Sequence, residues 1–207
     1  MLRVGLTGGY ASGKSFVGRA LGEMGCLLIE ADHLGHKVMA KGGEAYRPII
    51  AEFGVEILDE QGSIDRHKLG ALVFPNPGLL AKLSAIVHPY VRARGRRLME
   101  AFAEREPCGI CITEAAILVE TGSFRDHDRL IVASCPQEQQ IERAMLRDHL
   151  TREEVLNRLS RQLPLEEKVK YADYVIDTSG TKEHTLEQTR TVYASLRSIE
   201  QPCDYEL

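Results

Sequence analysis

The sequence predicts an α/β protein, a three-layer, doubly wound parallel five-stranded sheet carrying a helical substrate-binding insertion and a helical lid. Three observations predict it. Five short apolar stretches, Leu2–Leu6, Cys26–Ile29, Cys108–Thr113, Arg129–Ala133 and Tyr174–Ile176, alternate with helical patterns, as in a parallel sheet covered on both faces. A glycine-rich run follows the first stretch directly. Between Asp32 and Glu106 there are several helical segments and no convincing strand, which marks an inserted subdomain rather than a linker. Residues 1–207 are therefore read as one domain, with the insertion at about 34–105 and the lid at about 142–165.

The first strand leads into Gly8-Gly9-Tyr10-Ala11-Ser12-Gly13-Lys14-Ser15, which fills the phosphate-binding template G-x-x-x-x-G-K-[ST] in its strand–loop–helix context. Glycines let consecutive backbone N–H groups curl around a phosphate, and the following helix points its positive end at it. Lys14 adds a charge for the β and γ phosphates of a nucleotide, and the Ser15 hydroxyl is a ligand for Mg²⁺. Val17, Ala20, Leu21 and Met24 then form one apolar stripe, and Gly25 stops the helix.

The second strand ends in Ile29-Glu30-Ala31-Asp32, placing Asp32 at the carboxyl edge where open α/β sheets bind ligands. A carboxylate there can accept the proton of an attacking hydroxyl during phosphoryl transfer, or simply cap the next helix. In the helical block, Gly42-Gly43, Gly54, Gly62 and Pro75-Asn76-Pro77-Gly78 break the pattern. His88-Pro89 reads as the end of one helix and the start of another, where His88 could reach a substrate phosphate.

The third strand continues through Glu114 into Ala115-Ala116-Ile117-Leu118-Val119-Glu120. Glu114 is placed to hold Mg²⁺ through water, and Glu120 is a candidate for the acceptor pocket; each could instead be a solvated loop carboxylate. Ile141 to Tyr171 is charged and helical, with a capping-box signal at Thr151-x-x-Glu154 and a narrow stripe of Val155, Leu156 and Leu159, as suits a lid. It carries Arg143, Arg147, Arg158 and Arg161, and an arginine swung over a γ-phosphate neutralises charge developing in the transition state. The last helix carries Leu186, Thr189, Tyr193 and Leu196 on one side, and the tail from Gln201 reads as loosely held.

With 26 basic and 30 acidic side chains the net charge is −4, so no global field draws the chain to nucleic acid or anionic lipid. The cluster Arg92, Arg94, Arg96 and Arg97 lacks interleaved aromatics and reads as a solvated helix face. No stretch approaches the roughly 18 apolar residues of a membrane helix, and the first strand is too short for a signal core, so a cytoplasmic protein is expected. Five cysteines, an odd number, read as reduced thiols, and Cys108-x-x-Cys111 leads into a strand rather than opening a helix as redox pairs do.

These residues together resemble the dephospho-CoA kinase family, which phosphorylates the ribose 3′-hydroxyl of dephospho-CoA with ATP in the last step of coenzyme A synthesis. The resemblance runs from Gly5 through Ser15 and the Asp32 turn to Ile64-Asp65-Arg66, Ile86-Val87-His88-Pro89 and Glu114 through Glu120. It continues through Gln140-Ile141-Glu142-Arg143, Arg147-Asp148, Arg158 with Gln162, and Ala172-Asp173-Tyr174-Val175-Ile176-Asp177. It implies the P-loop nucleoside triphosphate hydrolase fold, with ATP as co-substrate held by Gly8, Gly9, Ala11, Ser12, Gly13, Lys14, Ser15 and Phe16, joined by Arg147. It further implies Asp32 as base, Lys14 and Arg143 acting on the transferring phosphoryl, and Mg²⁺ at Ser15 and Glu114. The acceptor falls to His88, Glu120, Arg161 and the helical block. The partners implied are ATP and dephospho-CoA, with neither nucleic acid nor membrane, in a monomer or weak homo-oligomer.

Three positions depart from the family's usual pattern. His36 stands where an Arg is usual, Glu114-Ala115-Ala116 replaces Asp-x-Pro, and Thr178 replaces an Asn. They bear on affinity more than on reaction type. Three alternatives remain open at this point: another small-molecule kinase of the same fold, a silent nucleotide sensor, and a GTP switch. The last has Asp59-Glu60-Gln61-Gly62 in its favour and no Asn-Lys-x-Asp segment.

Overall fold

Short apolar strands separated by helices pair side by side with the helices over their faces, and the computed structural model, which describes residues 1–199, pairs all five apolar stretches in one sheet. The strands are β1 (Leu2–Gly8), β2 (Leu27–Glu30), β3 (Ile110–Glu114), β4 (Arg129–Ser134) and β5 (Tyr174–Asp177), in the order β2-β3-β1-β4-β5. Every pairing is parallel. The chain divides into two units: Met1–Glu30 with the chain from Ala101 onward, and Ala31–Glu100.

In the sheet unit, the two-residue period of a strand sends Leu2, Val4 and Leu6 of β1 to one face with Ile110, Ile112, Ile131, Ala133 and Ile176. That face is covered by α1 (Lys14–Glu23) through Val17 and Leu21, and by α9 (Lys182–Arg197) through Val192 and Leu196. The stripe of α9 is buried at Thr185, Thr189, Val192 and Leu196, with Tyr193 packed against the same core, so Thr189 and Leu196 stand as expected while Thr185 and Val192 take the buried places beside Leu186 and Tyr193. The threonines stand in it because each hydroxyl donates to the carbonyl one turn back, Thr189 to Thr185 at 2.7 Å. Gly25, at φ +96°, ends α1 as expected. On the opposite face Gly5 leaves room for Leu118, Leu130 and His127, any side chain at Gly5 meeting Leu130 at 3.0 Å.

The same unit carries α6 (Gln137–Asp148), α7 (Arg152–Leu159) and α8 (Leu165–Val169). The capping box forms as the sequence predicts: Thr151 Oγ1 accepts from the Glu154 N–H, and Glu154 Oε2 accepts from the Thr151 N–H at 2.8 Å. Val155 packs with Ile141 and Ala144 in a small core that also takes in Tyr10 and Ala11 of the glycine-rich loop, while Leu156 is exposed.

The helical unit has its own core of Val38, Ala45, Ile49, Ile57, Leu69, Val73 and Val87. Its helices are α2 (Ala31–Met39), α3 (Tyr46–Phe53), α4 (Arg66–Val73) and α5 (Pro77–Ala103), with one isolated bridge between Leu58 and Ile64. Here the structure corrects the sequence reading: His88-Pro89 does not divide two helices, because α5 runs through it for 27 residues with Pro89 inside. A proline removes one hydrogen bond and kinks a helix, but the apolar positions on both sides, Leu83, Ile86, Val87, Tyr90 and Val91, pack on one core and hold the helix together.

Cys26, Cys111 and Cys135 are free and buried, burial pushing the first two thiols up to about 12. Cys108 is disulfide-bonded, against the expectation that the thiols are all reduced, since an odd count does not forbid one bridge. Cys203 and the tail from Gln201 lie outside the described residues.

Candidate active site

The strand register assembles the site. Leu6 pairs with Glu114 on one side of β1, Gly8 with Ala133 on the other, and Ser134 of β4 with Asp177 of β5, so the carboxyl ends of four strands meet around the loop that leaves β1. A side chain at Gly8 would stand 2.7 Å from the Ala133 carbonyl oxygen, so only glycine fits between the strands there. Gly13, at φ +87°, turns the loop into α1, and a side chain on it would press on Thr178 at 3.2 Å. Ala11 takes the same left-handed region at φ +58°. The Phe16 and Val17 N–H groups donate to the Gly13 carbonyl, whereas those of Gly13, Lys14 and Ser15 donate to no other described residue. That leaves a row of donors at the positive end of α1.

Glu114 is 5 % exposed and accepts the Ser15 hydroxyl at 2.6 Å, with Lys14 Nζ at 3.8 Å from the same oxygen. Hydroxyl and carboxylate oxygens in reach of one another form the hard donor set that suits Mg²⁺, and Lys14 neutralises the carboxylate meanwhile. Glu114 is brought here because it ends β3 on the face that carries α1, its carboxylate lying over Gly18.

Thr178, beyond β5, donates its hydroxyl to the Ser12 carbonyl at 2.7 Å and so braces the loop from the side. Arg143 holds this residue, donating to the Thr178 carbonyl at 2.6 Å. Arg147 forms a two-pronged pair with Asp148 at 2.9 and 2.8 Å. The guanidinium carbons of Arg147 and Arg158 each lie 5.4 Å from the centre of the Tyr10 ring. The Tyr10 hydroxyl donates to Asp148 and accepts from Arg158 at 2.9 Å, while its backbone N–H donates to Gln162 Oε1 at 2.9 Å. Arg147 and the Tyr10 hydroxyl hold the Asp148 carboxyl down at about 2.

Glu120 receives Lys168 Nζ at 2.7 Å and the Leu163 N–H at 3.0 Å. Arg161 is exposed beyond α7. Asp32 and His88 belong to the helical unit. Asp32 is exposed in the first turn of α2, two residues after β2 ends, and shares the electrostatic surroundings of His36 with His33 and Arg66. His88 is half-buried on α5, and burial followed by the Arg92 charge lowers its pKa.

The structure thus gathers Gly8 to Ser15, Glu114, Glu120, Arg143 and Arg147 about one loop, directly or through one intervening residue. Sequence reasoning missed Tyr10 and Lys168. Tyr10 fills an unrestricted position of the template, and Lys168 is one of many charged side chains in the helical run read as a lid.

A family model for dephospho-CoA kinase matches residues 2–184. A dephospho-CoA kinase of Aquifex aeolicus is 41% identical over 196 residues, covering 95% of this chain and 98% of its own. One from Carboxydothermus hydrogenoformans is 42% identical over 191 residues, covering 91% of both. Among solved structures, a Thermus thermophilus protein superposes with a TM-score of 0.80 at 32% identity, over 97% of this chain and 98% of that one. A dephospho-CoA kinase from Campylobacter jejuni superposes with a TM-score of 0.60 at 26% identity, over 94% and 96%.

Proposed function

The chain belongs to the dephospho-CoA kinase family, and from that premise we infer how its residues divide the work of ATP-dependent phosphorylation of dephospho-CoA, the reaction that yields coenzyme A and ADP. The bond that forms joins the ribose 3′-oxygen of dephospho-CoA to the γ-phosphorus of ATP; the bond that breaks is the one from that phosphorus to the β–γ bridging oxygen. The observation that carries this division is the meeting of Lys14, Ser15 and Glu114 beside a loop in which the N–H groups of Gly13, Lys14 and Ser15 donate to no other described residue.

In this reading the residues from Gly8 to Phe16 bind the triphosphate, with the N–H groups of Gly13, Lys14 and Ser15 among the donors, and Lys14 exchanges Glu114 for the β and γ oxygens. Because its charge serves both the bound substrate and the transition state, Lys14 acts on binding and on rate alike. Ser15 and Glu114 would hold Mg²⁺, which supplies charge neutralisation on the phosphate oxygens when bound. Asp32 accepts the proton of the 3′-hydroxyl as it attacks, a positioned base of the kind that recurs in phosphoryl transfer. Arg147, already beside Tyr10 of the loop, joins the nucleotide site. Arg143 acts on the transferring phosphoryl by leaving the Thr178 carbonyl as the lid segment closes. His88, Glu120 and Arg161 are assigned to the acceptor, His88 with a neutral ring near pH 7 because its pKa is lowered.

No helix among the described residues is long and apolar enough to cross a membrane. A cytoplasmic setting suits an enzyme of coenzyme A synthesis, and a monomer or weak homo-oligomer is the assembly proposed with it.

ADP release measured across a panel of alcohols tests the assignment. Dephospho-CoA should be preferred by at least about 100-fold in kcat/KM over shikimate, gluconate and nucleosides, the discrimination of a site that hydrogen-bonds its substrate. Equal turnover of any of these, or none with dephospho-CoA, would contradict it.

A further inference from the structure

Lys168 is the largest side chain of the described residues to be completely buried, and its ammonium has no access to solvent. An ammonium carries three N–H donors and no acceptor, so burial is tolerable only if each proton finds a partner. Here three acceptors surround Nζ: the Ala116 carbonyl at 2.6 Å, Glu120 Oε1 at 2.7 Å and the Gly8 carbonyl at 3.4 Å. Burial still pulls the Lys168 pKa down, opposed by Glu120, and the charge of Lys14 adds to the depression. A methionine or leucine would fill the same space without this cost, which raises the question of what the charge does there.

Its three partners answer it. Gly8 opens the phosphate loop. Ala116 and Glu120 belong to the turn after β3, and the Ala116 carbonyl also accepts the Thr7 hydroxyl at 3.2 Å. Glu120 extends the connection by accepting the N–H of Leu163, in the segment joining α7 to α8. The peptide between Gly8 and Gly9 is planar and trans, so a cation holding the Gly8 carbonyl on one side fixes the Gly9 N–H on the other. A peptide with glycine at both ends has little else to settle its rotation.

We propose that Lys168 is a positioning residue for phosphoryl transfer: by clamping the Gly8 carbonyl it sets the first N–H of the phosphate loop toward the nucleotide, with Glu120 and Ala116 holding the clamp. The proposal rests on the reading of Gly8 to Phe16 as the ATP site. It adds to the acceptor role proposed for Glu120 a second one, in holding Lys168. Lys168 touches neither substrate; it acts through a backbone amide.

The test is steady-state kinetics with each substrate varied in turn on the purified full chain, together with the Kd of a fluorescent ATP analogue. Lys168→Met should lower kcat/KM for ATP by about 100-fold, mostly through KM and matched by a weaker Kd, as expected when a binding group is displaced by a fraction of an ångström. KM for dephospho-CoA should rise by less than KM for ATP. Because Lys168→Met leaves Glu120 buried without its partner, the neutral pair Lys168→Met/Glu120→Gln guards against a chain that cannot fold, and the same rise in KM for ATP is expected of it. A brace with no positioning role would lower the melting temperature and leave KM and Kd for ATP at wild-type values in whichever variant folds, and that result overturns the proposal. Failure of the underlying reading looks different: the wild-type chain itself would then bind the ATP analogue no better than a Lys14→Ala variant.

Discussion

Tyr10 is the residue through which the phosphate loop meets the lid segment, and its partners are charged: Arg147, Asp148 and Arg158 surround the ring and hydroxyl. The pairing makes the lid's attachment depend on pH. The Asp148 carboxyl sits at about 2, below the roughly 3.9 of an unfolded aspartate, so its contribution is complete above the unfolded value and disappears as pH falls through the folded one. Replacing Asp148 with Asn should therefore lower the melting temperature near neutrality, and the gap from wild type should narrow between about pH 4 and pH 2. A gap that stayed constant over that interval in thermal melts would show that the carboxylate's charge is not what holds Tyr10. Individual residues were unevenly legible. Lys14 and Ser15 are dictated by the chemistry of phosphate, whereas Lys168 is indistinguishable in sequence from neighbours such as Lys170, which is 65% exposed. Only the fold shows that one lysine of the pair turns inward.

At the scale of single elements, α7 depends on its cap. Eight residues are too few for a helix to persist alone, and it buries little beyond Val155, so the capping box supplies a large part of its stability. Thr151→Ala should cost about 1 kcal/mol, seen as roughly fivefold faster amide exchange in α7 with β1 and β3 unchanged. Uniform acceleration through the sheet would mean that α7 opens only with the whole unit. The box was readable because its two side chains stand three residues apart in sequence. The continuity of α5 was not, since a proline is a local stop signal, and what overrides it here is the packing of residues on both sides of it onto Val38, Ala45 and Ile49, far earlier in the chain. Strand ends shifted by one or two residues for a similar reason. Glu114 and Asp177 look polar, yet each completes a ladder with a neighbouring strand.

For the molecule as a whole, the order β2-β3-β1-β4-β5 sets the loop after β1 between the ends of β3 and β4, and the chain inserts its helical unit immediately after β2. Alternating apolar stretches and the phosphate-binding template made this architecture legible, because both are repeated, local signals. The contacts that join loop, turn and lid were not, because they span from 35 residues, for Arg143 with Thr178, to 166, for Thr178 with Ser12. The account asks two groups far apart in the sequence, the phosphate loop and Asp32, to serve one reaction as donor cradle and base. Single-turnover transfer from γ-labelled ATP to dephospho-CoA in Asp32→Asn tests this most directly. The account predicts an ATP Kd within about twofold of wild type and a transfer rate lower by about 10³. Transfer at the wild-type rate would contradict it.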